Sequence, residues 1–202
     1  MSNLKRRVRV LENLLHDYIS FISDLYKISG TYSSRVNKED VCHYGFIPSS
    51  SEYSLNTLIS LYDYIKNTSD RFVDRSTLFL DIGCGIGNVV VMAGRVGFDA
   101  EGLEYNKKIY KVAKRFAGGY NKCHIIKGNM LTFRNYHKYD ILYYYEPIAN
   151  REVMLSFANR LAKKMKVGAY VIPNGANPFK GMKAFRRVLS KYHYVYEKIT
   201  EV

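Results

Sequence analysis

Apolar residues first recur at three- and four-residue steps. Leu4, Val8, Leu11, Leu14, Leu15, Tyr18, Ile22 and Leu25 predict an amphipathic helix over 4–27, which Ser29-Gly30 stops. A largely polar stretch, 30–51, reads as a loop, and Leu55, Leu58, Ile59, Leu61, Tyr62 and Ile65 predict a second helix over about 52–67. From residue 77 the pattern changes to short apolar runs that alternate with amphipathic ones. Strands are expected near 77–82, 100–104, 123–126, 139–145, 168–173 and 192–200, and helices near 87–96, 106–117, 148–166 and 179–190. Gly118-Gly119 ends one helix and Gly168 follows another. Such alternation implies a parallel sheet with crossover helices. The last run, Lys191 to Ile199, alternates apolar and polar side chains and reads as a half-exposed edge strand. The expected fold is α/β, a three-layer sandwich with a mostly parallel sheet of six to seven strands and a helical N-terminal extension. Residues 1–50 form the extension and a lid segment, and 51–202 form the core domain.

One junction carries chemistry. Thr77-Leu78-Phe79-Leu80 runs into Asp81-Ile82-Gly83-Cys84-Gly85-Ile86-Gly87-Asn88, and an apolar helical run follows from Val89 to Val96. Strand, glycine turn and helix together form a ligand-binding context. The glycines allow a sharp turn and a close backbone approach, and the helix start offers free N–H groups. A dinucleotide fingerprint needs glycines spaced G-x-G-x-x-G. Here Asn88 holds the third such position and Gly87 comes one residue early.

The acidic-x-G-x-G-x-G pattern after a first strand resembles motif I of the class I S-adenosylmethionine (SAM) methyltransferases. Three further stretches match in order. Ala100-Glu101-Gly102-Leu103-Glu104 ends in a carboxylate 23 residues after Asp81, Lys127-Gly128-Asn129-Met130 follows an apolar run, and Asp140 to Tyr145 leads into Glu146-Pro147. The resemblance spans roughly 50–202. It implies SAM as cofactor, with Asp81, Gly83, Cys84, Gly85 and Gly87 around its amino-acid end. Glu104 would hold the ribose hydroxyls and Tyr105 would stack nearby. Asn129 and Met130 would border the adenine, and Glu146 would lie beside the methyl group. The class I sheet usually has seven strands and ends in an antiparallel hairpin. Only six strands are legible here, which leaves open whether the seventh is present.

Glu146 is also the candidate for catalysis, because a carboxylate at a strand's carboxyl end can orient an amine or accept its proton. Tyr44, in the lid segment, is expected to line the acceptor pocket, and His43 beside it is the histidine to test as a base. Methyl transfer at a sulfonium needs alignment and an electrostatic setting rather than a metal or a covalent intermediate. No metal spacing or nucleophile–His–acid signature occurs in the chain.

Composition narrows the setting. With 202 residues, 47% hydrophobic and 24% charged, the chain is large enough for a proper core and ordinary for a soluble protein. No apolar run approaches the ~20 residues of a membrane span. Met1 to Arg7 is basic, but no long apolar core or small-residue cleavage site follows, so a signal peptide is not expected. Cys42, Cys84 and Cys123 form no disulfide framework and read as reduced thiols, so the location is expected to be cytoplasmic, or nuclear.

Charge is distributed unevenly. Residues 1–104 carry 11 Lys and Arg against 13 Asp and Glu, whereas 105–202 carry 20 against 5. The basic half has the electrostatic footprint of a polyanion-binding protein. Tyr145-Glu146-Pro147-Ile148 lacks the D/N/S-P-P-aromatic tetrad of methyltransferases that modify exocyclic base amines. Tyr44-Gly45-Phe46-Ile47-Pro48-Ser49-Ser50, with Asp81–Val90 and Gly102-Leu103-Glu104, is loosely similar to the seven-strand protein-lysine methyltransferases. The expected acceptor is therefore a macromolecule, a protein lysine or RNA. A non-catalytic nucleic-acid-binding module on the same fold and a small-molecule methyltransferase are the alternatives.

Overall fold

The structure is a computed structural model and describes residues 5, 7–12, 51–68, 76–148, 150–175, 177–189 and 193–202. The chain divides into two compact units, Met1–Val41 and Cys42–Val202. In the first, Lys5 and residues 7–12 are helical. The rest of the expected N-terminal helix and the lid segment with His43 and Tyr44 lie outside the described residues.

The second unit begins with helix α1 (Ser51–Thr68) and then alternates: β1 (Leu78–Ile82), α2 (Asn88–Val96), β2 (Asp99–Glu104), α3 (Lys107–Ala117), β3 (Cys123–Lys127), β4 (Ile141–Tyr145), α4 (Arg151–Lys164), β5 (Tyr170–Asn174), β6 (Phe185–Arg187) and β7 (Tyr196–Lys198). Single 3₁₀ turns sit at Tyr136–Lys138 and Phe179–Gly181. The sheet order is β3-β2-β1-β4-β5-β7-β6. The first five strands pair in parallel, and β7 runs antiparallel to both β5 and β6.

Two expectations are corrected. The helix read over 179–190 is a 3₁₀ turn followed by β6, so the sheet has seven strands. Phe179, Met182 and Phe185 fall at helical spacing, yet Phe179 and Phe185 pack ring to ring at 4.9 Å within the core instead of forming a helix face. The strand read as an edge, β7, is interior. Its outer side is covered by β6, and Tyr196 and Lys198 are buried there.

Both faces of the sheet are covered, and for this reason its central strands are apolar throughout. Leu80, Ile82, Leu142, Tyr144 and Val171 face Met154, Phe157 and Leu161 of α4. On the other face Phe79 stacks on Phe98 at 6.1 Å and meets Tyr143 at 6.3 Å, with Tyr62 of α1 at 5.4 Å from Phe98. Period-two alternation along β1 therefore puts Asp81 on the α1–α2 side, one residue from the strand's end. Asn106 and Asn150 cap α3 and α4, their side chains accepting from Lys108 and Ile109 N–H and from Glu152 and Val153 N–H. These caps place both helix starts at the carboxyl end of the sheet.

Candidate active site

The glycine turn after β1 is tied to β2. Gly83 N and Cys84 N both donate to Leu103 O, at 2.8 and 3.1 Å. Gly83, Gly85 and Gly87 adopt φ of 77°, 56° and 90°, a region that disfavours side chains. They do not serve one purpose. A Cβ at Gly83 would lie 2.9 Å from Pro147 Cβ, so this glycine lets the turn touch the segment after β4. A Cβ at Gly87 would face Ile125, Ala113 and Ala117, so that glycine admits close packing of α2 on α3 and β3.

Asp81, one residue before the end of β1, and Glu104, at the end of the neighbouring β2, are both buried. Glu104 is satisfied on both oxygens: Gly85 N donates to one at 3.0 Å and Asn106 N to the other at 2.6 Å. The carboxylate thus clasps the glycine turn to the start of α3. Asp81 is different. Among the described residues no donor reaches its carboxyl group, although the residue is only 3% exposed. Burial, aided by the nearby charge of Glu104, holds its pKa well above the ordinary carboxylate range. Burial first, and then the charges of Asp81 and Glu104, push the Cys84 thiol up as well. Cys84 therefore offers no thiolate, and its sulfur lies against Gly102, where a Cβ would be 2.6 Å away.

The remaining expected residues separate. Asn129 turns its side-chain oxygen back to accept from Leu131 N at 2.8 Å, which shapes the turn after β3. Met130 is buried in the α4-side core, and its carbonyl accepts from Tyr136 Oη at 2.7 Å and from Arg160 at 2.6 Å. Tyr105 is 53% exposed at the tip of β2.

Glu146 follows β4 with φ of 33°, uncommon for a residue with a side chain. Its N–H donates to Asn174 O at 3.0 Å, and its side chain lies across Gly175, where a Cβ would overlap Glu146 Cγ. Through Pro147 on Gly83, the Glu146 segment joins the glycine turn at one end of the sheet. Asn174 Nδ2 donates to Tyr143 Oη at 3.4 Å, and that hydroxyl hydrogen-bonds Ser54 Oγ at 3.0 Å, anchoring α1 over the same end. Sequence reasoning missed Asn174 and Gly175. The signal was present as an Asn-Gly turn pair at the end of a buried strand.

This chain's sheet also matches solved structures. An RNA methyltransferase from Salinibacter ruber, in complex with S-adenosyl-L-homocysteine (SAH), aligns over 77% of this chain and 96% of its own, with 17% identity and a TM-score of 0.56. The chain has the class I methyltransferase fold. A SAM-bound amino pentose methyltransferase from Micromonospora echinaspora aligns over 67% of this chain and 61% of its own, with 16% identity and a TM-score of 0.48. No protein-family model matches the chain, and no curated protein matches it. In the class I fold ligands lie off the carboxyl ends of the parallel strands, which is where Asp81, the glycine turn, Glu104 and Glu146 meet. Among the described residues no group of three His, Cys, Asp or Glu gathers to hold a metal, and no helix is long and apolar enough to cross a membrane.

Proposed function

We propose that this chain is a SAM-dependent methyltransferase acting on a nucleophile of a macromolecule, a protein lysine or RNA. The observation that carries the reading is the pair of buried carboxylates at the glycine turn, one of them without a donor. A buried carboxyl group that meets no donor within the fold fits an incoming cation. SAM carries an ammonium and a sulfonium, and its ribose hydroxyls can donate to the Glu104 carboxylate. The neighbour of the same fold from Salinibacter ruber holds SAH, which supports this choice.

SAM, when bound, supplies a methyl group activated for in-line displacement. The chain's own residues set the stage. Asp81 holds positive charge, the turn excludes side-chain bulk, and Glu104 fixes both the turn and the ribose. Glu146 is held by Asn174 and by the space at Gly175, where it orients the acceptor or takes its proton. Calorimetry with SAH tests the reading: a clear isotherm is expected, with none for NAD, and the reverse result overturns it. Incubating the protein with tritiated SAM and cell extract should label a protein or an RNA band. SAH binding with label appearing in no macromolecule would remove the macromolecular acceptor.

A further inference from the structure

His193 precedes β7 and stands at the carboxyl end of the sheet. Antiparallel register pairs Val171 with Tyr196, and the same count carried to the end of β5 sets His193 opposite Asn174. Helix α1 covers this end too: Ser54 bonds Tyr143 Oη, whereas Tyr64 meets Tyr170 at the start of β5. Asn174 Nδ2 also reaches Tyr143 Oη, and His193 Nδ1 lies 2.8 Å from Thr57 Oγ1, one helical turn beyond Ser54. Both side chains therefore face α1. The Asn174-Gly175 turn is thus flanked by Glu146 from the β4 side and by His193 from the β7 side.

Hydrogen-bond direction fixes the imidazole. Thr57 has one hydroxyl proton and donates it to Tyr53 O at 2.8 Å, an oxygen that can only accept. Thr57 Oγ1 therefore accepts from His193, which puts a proton on Nδ1 and leaves Nε2 its lone pair. Among the described residues nothing bonds to Nε2. The Tyr53 ring lies 5.8 Å away, and its hydroxyl accepts from Tyr194 N at 3.4 Å, while Arg187 donates to His193 O at 3.2 Å. Burial first, and then the Arg187 charge, hold the imidazole's pKa below its ordinary value, so the ring is neutral at neutral pH.

We infer that His193 Nε2 takes the proton of the methyl acceptor while Glu146 orients that acceptor from across the turn, an inference that rests on the methyltransferase reading. In the step, the acceptor's nitrogen or oxygen bonds to the methyl carbon as the carbon–sulfur bond breaks. The sulfur keeps that electron pair and leaves in SAH, and the acceptor's proton passes to Nε2. A neutral imidazole suits an uncharged N–H or O–H group. A lysine ammonium holds its proton far above the range of histidine, and the Arg187 charge would repel it. The acceptor group is therefore an uncharged N–H or O–H.

The tests use the full chain. Heteronuclear NMR of nitrogen-labelled histidine in the ligand-free protein should show His193 as the Nδ1–H tautomer, titrating below the ordinary ~6.5. Its signal is assigned by loss in His193→Ala, and an Nε2–H tautomer overturns the inference. With tritiated SAM and cell extract, the rate at which label passes to any acceptor is then followed. His193→Ala should slow transfer at least about tenfold while SAH affinity by calorimetry stays within about twofold of wild type. Added imidazole should restore part of the loss. At saturating SAM the wild-type rate should fall as pH drops below ~6.5, and His193→Ala should lack that fall. Thr57→Val should slow transfer, whereas Thr57→Ser keeps the hydroxyl and the rate. His137→Ala, exposed in the turn before β4, is the control expected to change nothing. A loss in His193→Ala that imidazole cannot restore, or label recovered as methyllysine, would overturn the inference. Wild type that binds no SAH or transfers no label sinks the methyltransferase reading. Wild type that does both, with His193→Ala equally fast, sinks this inference alone.

Discussion

Asp81 is where stability and function oppose each other at the scale of one residue. Its raised pKa means that the folded chain holds this proton more tightly than the unfolded chain does. Below the ordinary carboxylate range both states are protonated and the site costs nothing. As pH rises past that range the unfolded chain ionises first, so stability falls until Asp81 also ionises in the fold. Thermal melts of ligand-free wild type and Asp81→Asn should therefore diverge with rising pH, with the Asn variant becoming the more stable. The same variant should bind SAM more weakly, and the loss should shrink at low pH, where wild type is protonated too. A flat difference across pH would remove Asp81 from this role. Glu104 acts through geometry. Glu104→Ala leaves Gly85 N–H and Asn106 N–H without their acceptor, which costs about 1–3 kcal/mol for each donor left unsatisfied in a buried setting. Calorimetry on that variant should show SAH affinity reduced more than tenfold, about 1.4 kcal/mol or more.

Between elements, single glycines decide which segments meet. Gly175 has φ of 112° and lies under the Glu146 side chain, so Gly175→Ala should displace that carboxylate, cost about 1–3 kcal/mol, and lower turnover while SAH still binds. Gly181 has nothing within 4 Å of where a Cβ would sit, and Gly181→Ala is the control expected to leave turnover unchanged. Tyr196→Phe tests the bond between β7 and the segment after β5. Asn177 Nδ2 donates to Tyr196 Oη at 2.9 Å, while its side-chain oxygen is already buried without a partner, so the loss should cost about 1–3 kcal/mol in a denaturant melt. The same scale shows what the chain discloses when read residue by residue. The run from Leu78 to Asn88 was legible because strand, turn and helix each have their own periodicity. β6 was not, because three residues with burial on one side only give no alternation to detect. The φ of Glu146 was invisible for another reason: it depends on Gly175, which is distant in sequence.

Over the whole molecule, order should follow pairing. β1 and β4 lie between parallel neighbours on both sides, whereas β6 and β7 pair over only three residues. Native-state hydrogen exchange should therefore open the β6–β7 amides at a lower free energy than those of β1 and β4. Uniform protection across all seven strands would contradict this. The Rossmann-like half, the carboxylates and the basic half of the chain were all readable from composition and spacing. The strand order has one more consequence. Since β7 is inserted between β5 and its predecessor β6, a nascent chain leaving the ribosome would expose β6 with no strand partner until β7 emerged.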